Sequence, residues 1–293
     1  MIHIETIKEM RDKSQAARQN GQSIGFVATM GFLHEGHLQL VKNARKENDL
    51  VVVSIFVNPL QFNQSSDLAT YPRDLARDTA LLEAEGVDIV FHPSVEEMYP
   101  KQSVVQMSLL SRQDVLCGAS RPGHFEGVLK VLSKLFLIIQ PTKTYFGIKD
   151  AQQVAVVEAL IEELNFDITL VPVPTIREPD GLALSSRNVR LSPEERKDAT
   201  NIYQALRAGQ QYIRSNEYWS RDQVIDYMEH ILRERISGKV DYVNCLTYPD
   251  LQPLINENDS VILAVAVYYE NARLIDNLIL DQSGEEIYRS DKK

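Results

Sequence analysis

The chain predicts an α/β fold: a parallel sheet built from βαβ units, followed by a smaller α+β domain. Three observations carry that expectation. Strand-like and helix-like runs alternate as far as Val173. The run Leu50–Val57 is almost continuously apolar, which suits a strand covered on both faces, as parallel strands are. Beyond Val173 the alternation stops, and two long helices precede three strand-like runs.

The elements follow in order. A helix over Ile4–Asn20 leads to a strand at Ile24–Ala28, a helix at Leu38–Lys46 and the strand Leu50–Val57. Tyr71-Pro72-Arg73-Asp74 opens a helix to about Glu85, with Gly86 suited to the position after its end. Val87–Phe91 reads as a strand stopped by Pro93, Gly127–Ile139 as a helix and Thr144–Phe146 as a short strand. A helix at Asp150–Leu164 and a strand at Ile168–Val173 complete the alternation, with right-handed crossovers expected. Pro172, Pro174, Pro179 and Gly181 then punctuate a polar stretch. Helices at Pro193–Ser215 and Arg221–Ile236 follow, then strands at Val240–Leu246, Val261–Val267 and Arg273–Leu280. These runs predict domains at 1–176 and 177–281, and a polar, disordered tail at 282–293.

Apolar residues make up 44% of the 293 and charged residues 25%, the balance of a globular protein with a sizeable core. The net charge of −10 argues against a general nucleic-acid binder, whose affinity rests on clustered Lys and Arg. Two cysteines, Cys117 and Cys245, make neither a disulfide framework nor a zinc site. The N-terminus lacks a signal-peptide pattern, and no apolar run approaches the roughly 20 residues of a membrane helix. The cytoplasm is the expected compartment.

Chemistry concentrates in five segments. Thr29-Met30-Gly31-Phe32-Leu33-His34-Glu35-Gly36-His37 lies between a strand and a helix and holds two of the six histidines. A helix N-terminus offers unpaired amides and a positive dipole end, so it suits a phosphate. Two imidazoles there add donors that follow charge during phosphoryl or nucleotidyl transfer. Zinc is disfavoured, because the loop lacks HExxH spacing. Phe56–Phe62 follows the next strand, so Asn58 and Gln61 fall beside the histidine loop, with amides suited to hydroxyls and a carboxylate. An Asn-Pro turn with polar caps is the plainer account. Arg121-Pro122-Gly123-His124-Phe125 offers Arg121 for a carboxylate, or equally a surface arginine. Tyr145–Gln153 repeats strand, glycine and helix start, with Lys149 as a compact cation and Gln153 one turn further on; Asp150 also suits a helix cap. In Arg177–Asn188, Ser185, Ser186 and Arg187 suit a triphosphate, while Ser192-Pro193-Glu194-Glu195 reads as a helix start.

Together these segments resemble the pantoate–β-alanine ligases (pantothenate synthetases) of the HIGH-type nucleotidyltransferase superfamily. The likeness covers roughly residues 1–281 and rests on five motifs in family order. It implies a Rossmann-like N-terminal domain, a smaller C-terminal domain that closes over the active site, and a homodimer. ATP and (R)-pantoate would give pantoyl adenylate and pyrophosphate. β-Alanine would then displace AMP to give pantothenate, with Mg²⁺ accompanying ATP.

By the same resemblance, ATP is bound by Met30, Gly31, Phe32, Leu33, His34, Glu35, Gly36 and His37. Gly147, Ile148, Lys149, Asp150, Ile176, Leu184, Ser185, Ser186 and Arg187 supply the remaining ATP contacts. His37 is the proton donor, with His34, Lys149 and Arg187 as its catalytic companions. Gln61 and Gln153 contact pantoate, Arg121 is a further candidate, and Gln61 also borders β-alanine. The metal ligands and the base that deprotonates β-alanine are not legible. The chain departs from the family pattern at Ala28, Phe32, Asn63, Leu129-Lys130 and Arg190, and Phe32 matters most because it adjoins the nucleotide loop. Another HIGH-type nucleotidyltransferase and a non-catalytic nucleotide-binding protein are the competing readings. No nucleic-acid or membrane partner is expected.

Overall fold

A computed structural model describes residues 1–62, 68–256 and 258–289. The chain divides into two compact units. The first comprises Met1–Gln113, Cys117–Gly147 and Val156–Val173; the second comprises Asp114–Leu116, Ile148–Ala155 and the chain from Pro174 onward. The division is therefore not a single cut in the sequence.

The first unit holds a six-stranded sheet of β1 (Ile2–Ile4), β2 (Ile24–Thr29), β3 (Leu50–Ile55), β4 (Ile89–Phe91), β5 (Lys143–Gly147) and β6 (Thr169–Val173). The order is β1-β4-β3-β2-β5-β6, with every pairing parallel. Helices α1 (Ile7–Gln19), α2 (Glu35–Glu47), α3 (Leu75–Ala84), α4 (Val95–Met98), α5 (Leu116–Ser120), α6 (His124–Ile139) and α7 (Ala151–Glu163) connect the strands. β3 is buried along nearly its whole length, as its unbroken apolar run predicts. Val27, Val41, Val51, Val53, Leu82, Val90 and Tyr145 form one core cluster. From β2 the chain progresses outward through β3 and β4, and from β5 it progresses the other way to β6. The strand order therefore reverses between β2 and β5, the position where open parallel sheets bind ligands beyond their carboxyl ends.

The second unit holds an antiparallel sheet of β7 (Lys239–Tyr248), β8 (Ser260–Tyr268) and β9 (Arg273–Leu280), in that order. Helices α8 (Pro193–Asp198), α9 (Thr200–Ser215) and α10 (Arg221–Arg235) precede it. Ile202, Leu206, Met228, Leu232, Leu263, Val265 and Leu278 share its core. Ser192 and Glu195 cap α8 reciprocally, with Pro193 in its first turn, so this helix start is the one the sequence predicts.

Three expectations need correcting. The expected helix from Ile4 begins at Ile7, capped by the Thr6 hydroxyl, because Ile2–Ile4 pairs with Ile89–Phe91 as a parallel edge strand. The expected helix Pro193–Ser215 is broken at Ala199. There the Thr200 hydroxyl donates to the Lys197 carbonyl and the Asn201 amide to that of Asp198, competing with the helical ladder. Residues 282–289 of the expected disordered tail are anchored: the Gly284 carbonyl accepts from Gln210 and Arg214, and the Ile287 N–H donates to Ile279 O at 3.0 Å. These anchors come from α9 and β9, so local polarity does not reveal them.

Candidate active site

β2 ends at Thr29, whose hydroxyl accepts from the Gly31 N–H at 3.2 Å. Gly31 (φ +82°) and Phe32 (φ +52°) then both take left-handed backbone, which reverses the chain into α2. That strain is favourable for glycine and costly for phenylalanine. A buried carboxylate offsets it: Asp78 of α3 accepts the Phe32 N–H at 2.6 Å and the Leu33 N–H at 2.8 Å. Arg77 sets its guanidinium over the Phe32 ring, 5.4 Å from the centroid, which gives this unusual loop residue a partner. Nothing in the local sequence pairs Asp78 with a loop 45 residues before it.

His34 is the N-cap of α2. Its Nδ1 accepts from the Gly36 N–H at 3.1 Å, while the His37 Nδ1 accepts from the His34 N–H at 3.3 Å. An imidazole nitrogen that accepts carries no proton, so both neutral rings hold theirs on Nε2. The rings stand 4.0 Å apart between centroids. A capping box usually made by Ser and Glu is thus made by two histidines, which become Nε2 donors at a positive helix end.

Beside this loop lies the turn after β3, and here the structure brings together what the sequence had only placed nearby. The Gln61 amide donates to Met30 Sδ at 3.0 Å. Asn58, 1% exposed, donates to the Gly127 carbonyl at 3.0 Å and to Gln61 Oε1 at 3.2 Å, and its own oxygen accepts from the Tyr99 hydroxyl at 2.9 Å. Burial pushes the Tyr99 hydroxyl well above its ordinary pKa, so it remains a donor. Gly127 matters because a Cβ there would lie within 2.6 Å of the Gln61 backbone nitrogen. The His124 Nδ1 donates to the Gln61 carbonyl at 2.9 Å, leaving Nε2 to accept from Arg121 at 3.4 Å. Gly147 closes β5, next to β2 across the switch point. Asn63 lies outside the described residues.

The remaining candidates belong to the second unit. Ile148, Lys149 and Asp150 form a single 3₁₀ turn ahead of α7, and the side-chain amide of Asn277 holds the carbonyls of Ile148 and Lys149. Gln153 is on the first turn of α7, where its neighbour Gln152 is turned inward to the Val115 carbonyl at 2.8 Å. Ile176 and Leu184 face one another across a tight hairpin, with the Leu184 N–H donating to Ile176 O at 2.9 Å. The Ser185 hydroxyl accepts from the Arg187 N–H at 3.2 Å, which rounds off the Ser185-Ser186-Arg187 turn. Asn188 ties this turn back to the Ala183 carbonyl at 3.1 Å. Asp78, Tyr99 and Asn277 are the positioning groups that sequence reasoning missed.

A family model described as pantoate-β-alanine ligase matches residues 2–279. The chain belongs to that family. It is similar to the pantothenate synthetase of Halalkalibacterium halodurans, at 53% identity over 96% of this chain and 99% of that protein. Among solved structures it resembles the pantothenate synthetase of Thermus thermophilus (TM-score 0.86, 43% identity, 99% of this chain and 100% of that one). It also resembles a Francisella tularensis pantoate-β-alanine ligase complexed with β,γ-ATP and β-alanine (TM-score 0.78, 35% identity, 95% and 97% covered). The chain is thus an ATP-dependent ligase of the pantoate–β-alanine ligase family.

Proposed function

We propose that the chain condenses (R)-pantoate with β-alanine through pantoyl adenylate, with the two histidines of the α2 cap at the centre of the adenylation step. The observation that carries this is the pair of imidazoles at the start of α2, each with its Nδ1 accepting a backbone N–H of the loop. A carboxylate is a poor acyl donor because oxide would have to leave. Attack of its oxygen on the α-phosphorus of ATP breaks the α–β phosphoanhydride bond, expels pyrophosphate and installs AMP as the leaving group. The β-alanine nitrogen then attacks the acyl carbon, and AMP departs with the carboxyl oxygen. Negative charge builds on phosphoryl oxygens in the first step, and positioned donors and cations stabilise it. His37 is the proton donor in this scheme, with His34, Lys149 and Arg187 as further charge-bearing or donor groups.

ATP is assigned to Met30–His37, Gly147–Asp150, Ile176 and Leu184–Arg187. Pantoate is assigned to Gln61 and Gln153 with Arg121, and β-alanine to Gln61. The Asn58 and Gly127 contacts support the Gln61 role, because they fix that side chain with its amide at the histidine loop. Mg²⁺ would neutralise phosphate charge as ATP's own counter-ion. Among the described residues no three His, Cys, Asp or Glu side chains form a group that could hold a metal ion. We place the protein in the cytoplasm as a homodimer. No described helix is long and apolar enough to cross a membrane.

Omitting one substrate at a time tests the scheme. With ATP and pantoate alone, pyrophosphate should appear in an amount near that of enzyme, since the adenylate stays bound. Continuous AMP release should require β-alanine. Formation of ADP in place of AMP would overturn the adenylate route.

A second expectation concerns the turn that carries Gln61. Gly127→Ala drives a methyl into the Leu60–Gln61 backbone, and forced overpacking of this kind costs about 1–3 kcal/mol. The midpoint of thermal unfolding should fall, and the pantoate KM should rise more than the ATP KM. An unchanged pantoate KM would separate Gln61 from pantoate.

A further inference from the structure

Strand β9 reads Arg273-Leu274-Ile275-Asp276-Asn277-Leu278-Ile279-Leu280, with two adjacent polar residues inside an apolar run. Both are buried, at 5% and 7% exposure. Successive strand residues face opposite sides, so each side of the sheet receives one of them. Buried polar groups are costly unless bonded, and apolar residues in their place would serve a core better. We propose that Asp276 and Asn277 are positioning residues for ATP, holding two separate nucleotide-binding segments in their working shape. The proposal rests on the assignment of Ile148–Asp150 and Ile176 to ATP.

Asn277 acts on the first segment. Its side-chain amide donates to the Ile148 carbonyl at 3.0 Å and to the Lys149 carbonyl at 2.8 Å. In a planar trans peptide the C=O and the following N–H point in opposite directions. Anchoring these two carbonyls therefore turns the Lys149 and Asp150 N–H groups to the side away from Asn277. Asparagine suits the task because one NH₂ supplies both donors. A carboxylate of the same shape would present only acceptors to two carbonyl oxygens.

Asp276 acts on the second. It takes Arg177 in a two-point pair, at 2.6 and 3.0 Å, and the guanidinium lies 3.8 Å from the Tyr203 ring centroid. Burial opposes the Arg177 charge, but the charge and hydrogen bonds of Asp276 outweigh it and hold the guanidinium above its ordinary pKa. Arg177 in turn donates to the Gly181 carbonyl at 3.1 Å, and so fixes the hairpin that begins at Ile176. The Asn277 N–H donates to Asp276 Oδ1 at 2.8 Å, which joins the two anchors.

The test is steady-state kinetics on full-length Asn277→Asp and Asp276→Asn, with Lys149→Ala as the control. Loss of two hydrogen bonds should raise the ATP KM about tenfold in Asn277→Asp. The pantoate and β-alanine KM values should stay within about twofold. A merely structural role would instead lower the unfolding midpoint and the active fraction while leaving all three KM values alike. An ATP KM within twofold of the parent in Asn277→Asp overturns the proposal, provided Lys149→Ala impairs ATP use. If Lys149→Ala also leaves ATP use intact, the assignment of this turn to ATP falls, and the proposal with it. Should Asn277→Asp not fold, Asn277→Ser, which keeps one donor, is judged by the same criteria.

Discussion

His37→Gln should slow pantoyl-adenylate formation by about 10²–10³-fold, the scale of losing one preorganised donor at a site of developing charge. Glutamine is the informative replacement because of what it keeps. At the third position of a helix its side-chain oxygen accepts from the N-cap N–H, as Gln223 does for Ser220 at the start of α10. The cap of α2 should survive, so the unfolding midpoint should stay near that of the parent. The imidazole Nε2–H is lost. Pyrophosphate release in a single turnover measures the effect directly. Near-parent rates with an intact fold would remove His37 from the chemistry. Alanine at the same position is less clean, since it deletes both the donor and half of the cap, worth about 0.5–2 kcal/mol.

Asp78→Ala should have the largest effect on stability and a clear one on ATP. The carboxylate is 1% exposed and accepts two backbone N–H groups, those of Phe32 and Leu33. Its removal leaves two donors without an acceptor, at about 1–3 kcal/mol each. The midpoint of thermal unfolding should fall by roughly 5–15 °C. Phe32 would then hold left-handed backbone without the bond that offsets it. The loop should relax, and the ATP KM should rise tenfold or more when assayed well below the new midpoint. A destabilised enzyme with an unchanged ATP KM would show that Asp78 supports the fold alone.

The α/β alternation was legible because parallel strands carry continuous apolar runs and helices carry a 3.6-residue period. β3 falls where that pattern puts it. The histidine loop was legible because strand, glycine and helix start are local features, and the Gln61 turn because it follows the neighbouring strand. Local pattern could not separate Ile2–Ile4 from the helix after it. A three-residue strand exists only by pairing with Ile89–Phe91. The break at Ala199 combines the local bonds of Thr200 and Asn201 with distant ones, since Asp198 also accepts from the Tyr269 hydroxyl and the Ser237 N–H.

The sequence alone determined the class of chemistry. Residue types and their order in five segments point to a family, and the family to ATP, pantoate and β-alanine. Only the tertiary structure decided how Phe32 is tolerated, and that Asp78 and Asn277 shape the loops around them. A motif specifies groups that are close along the chain, whereas a strained backbone or a peptide-plane orientation is held here by a hydrogen-bond partner far along it. For Phe32 that partner is 46 residues away, and for Lys149 it is 128.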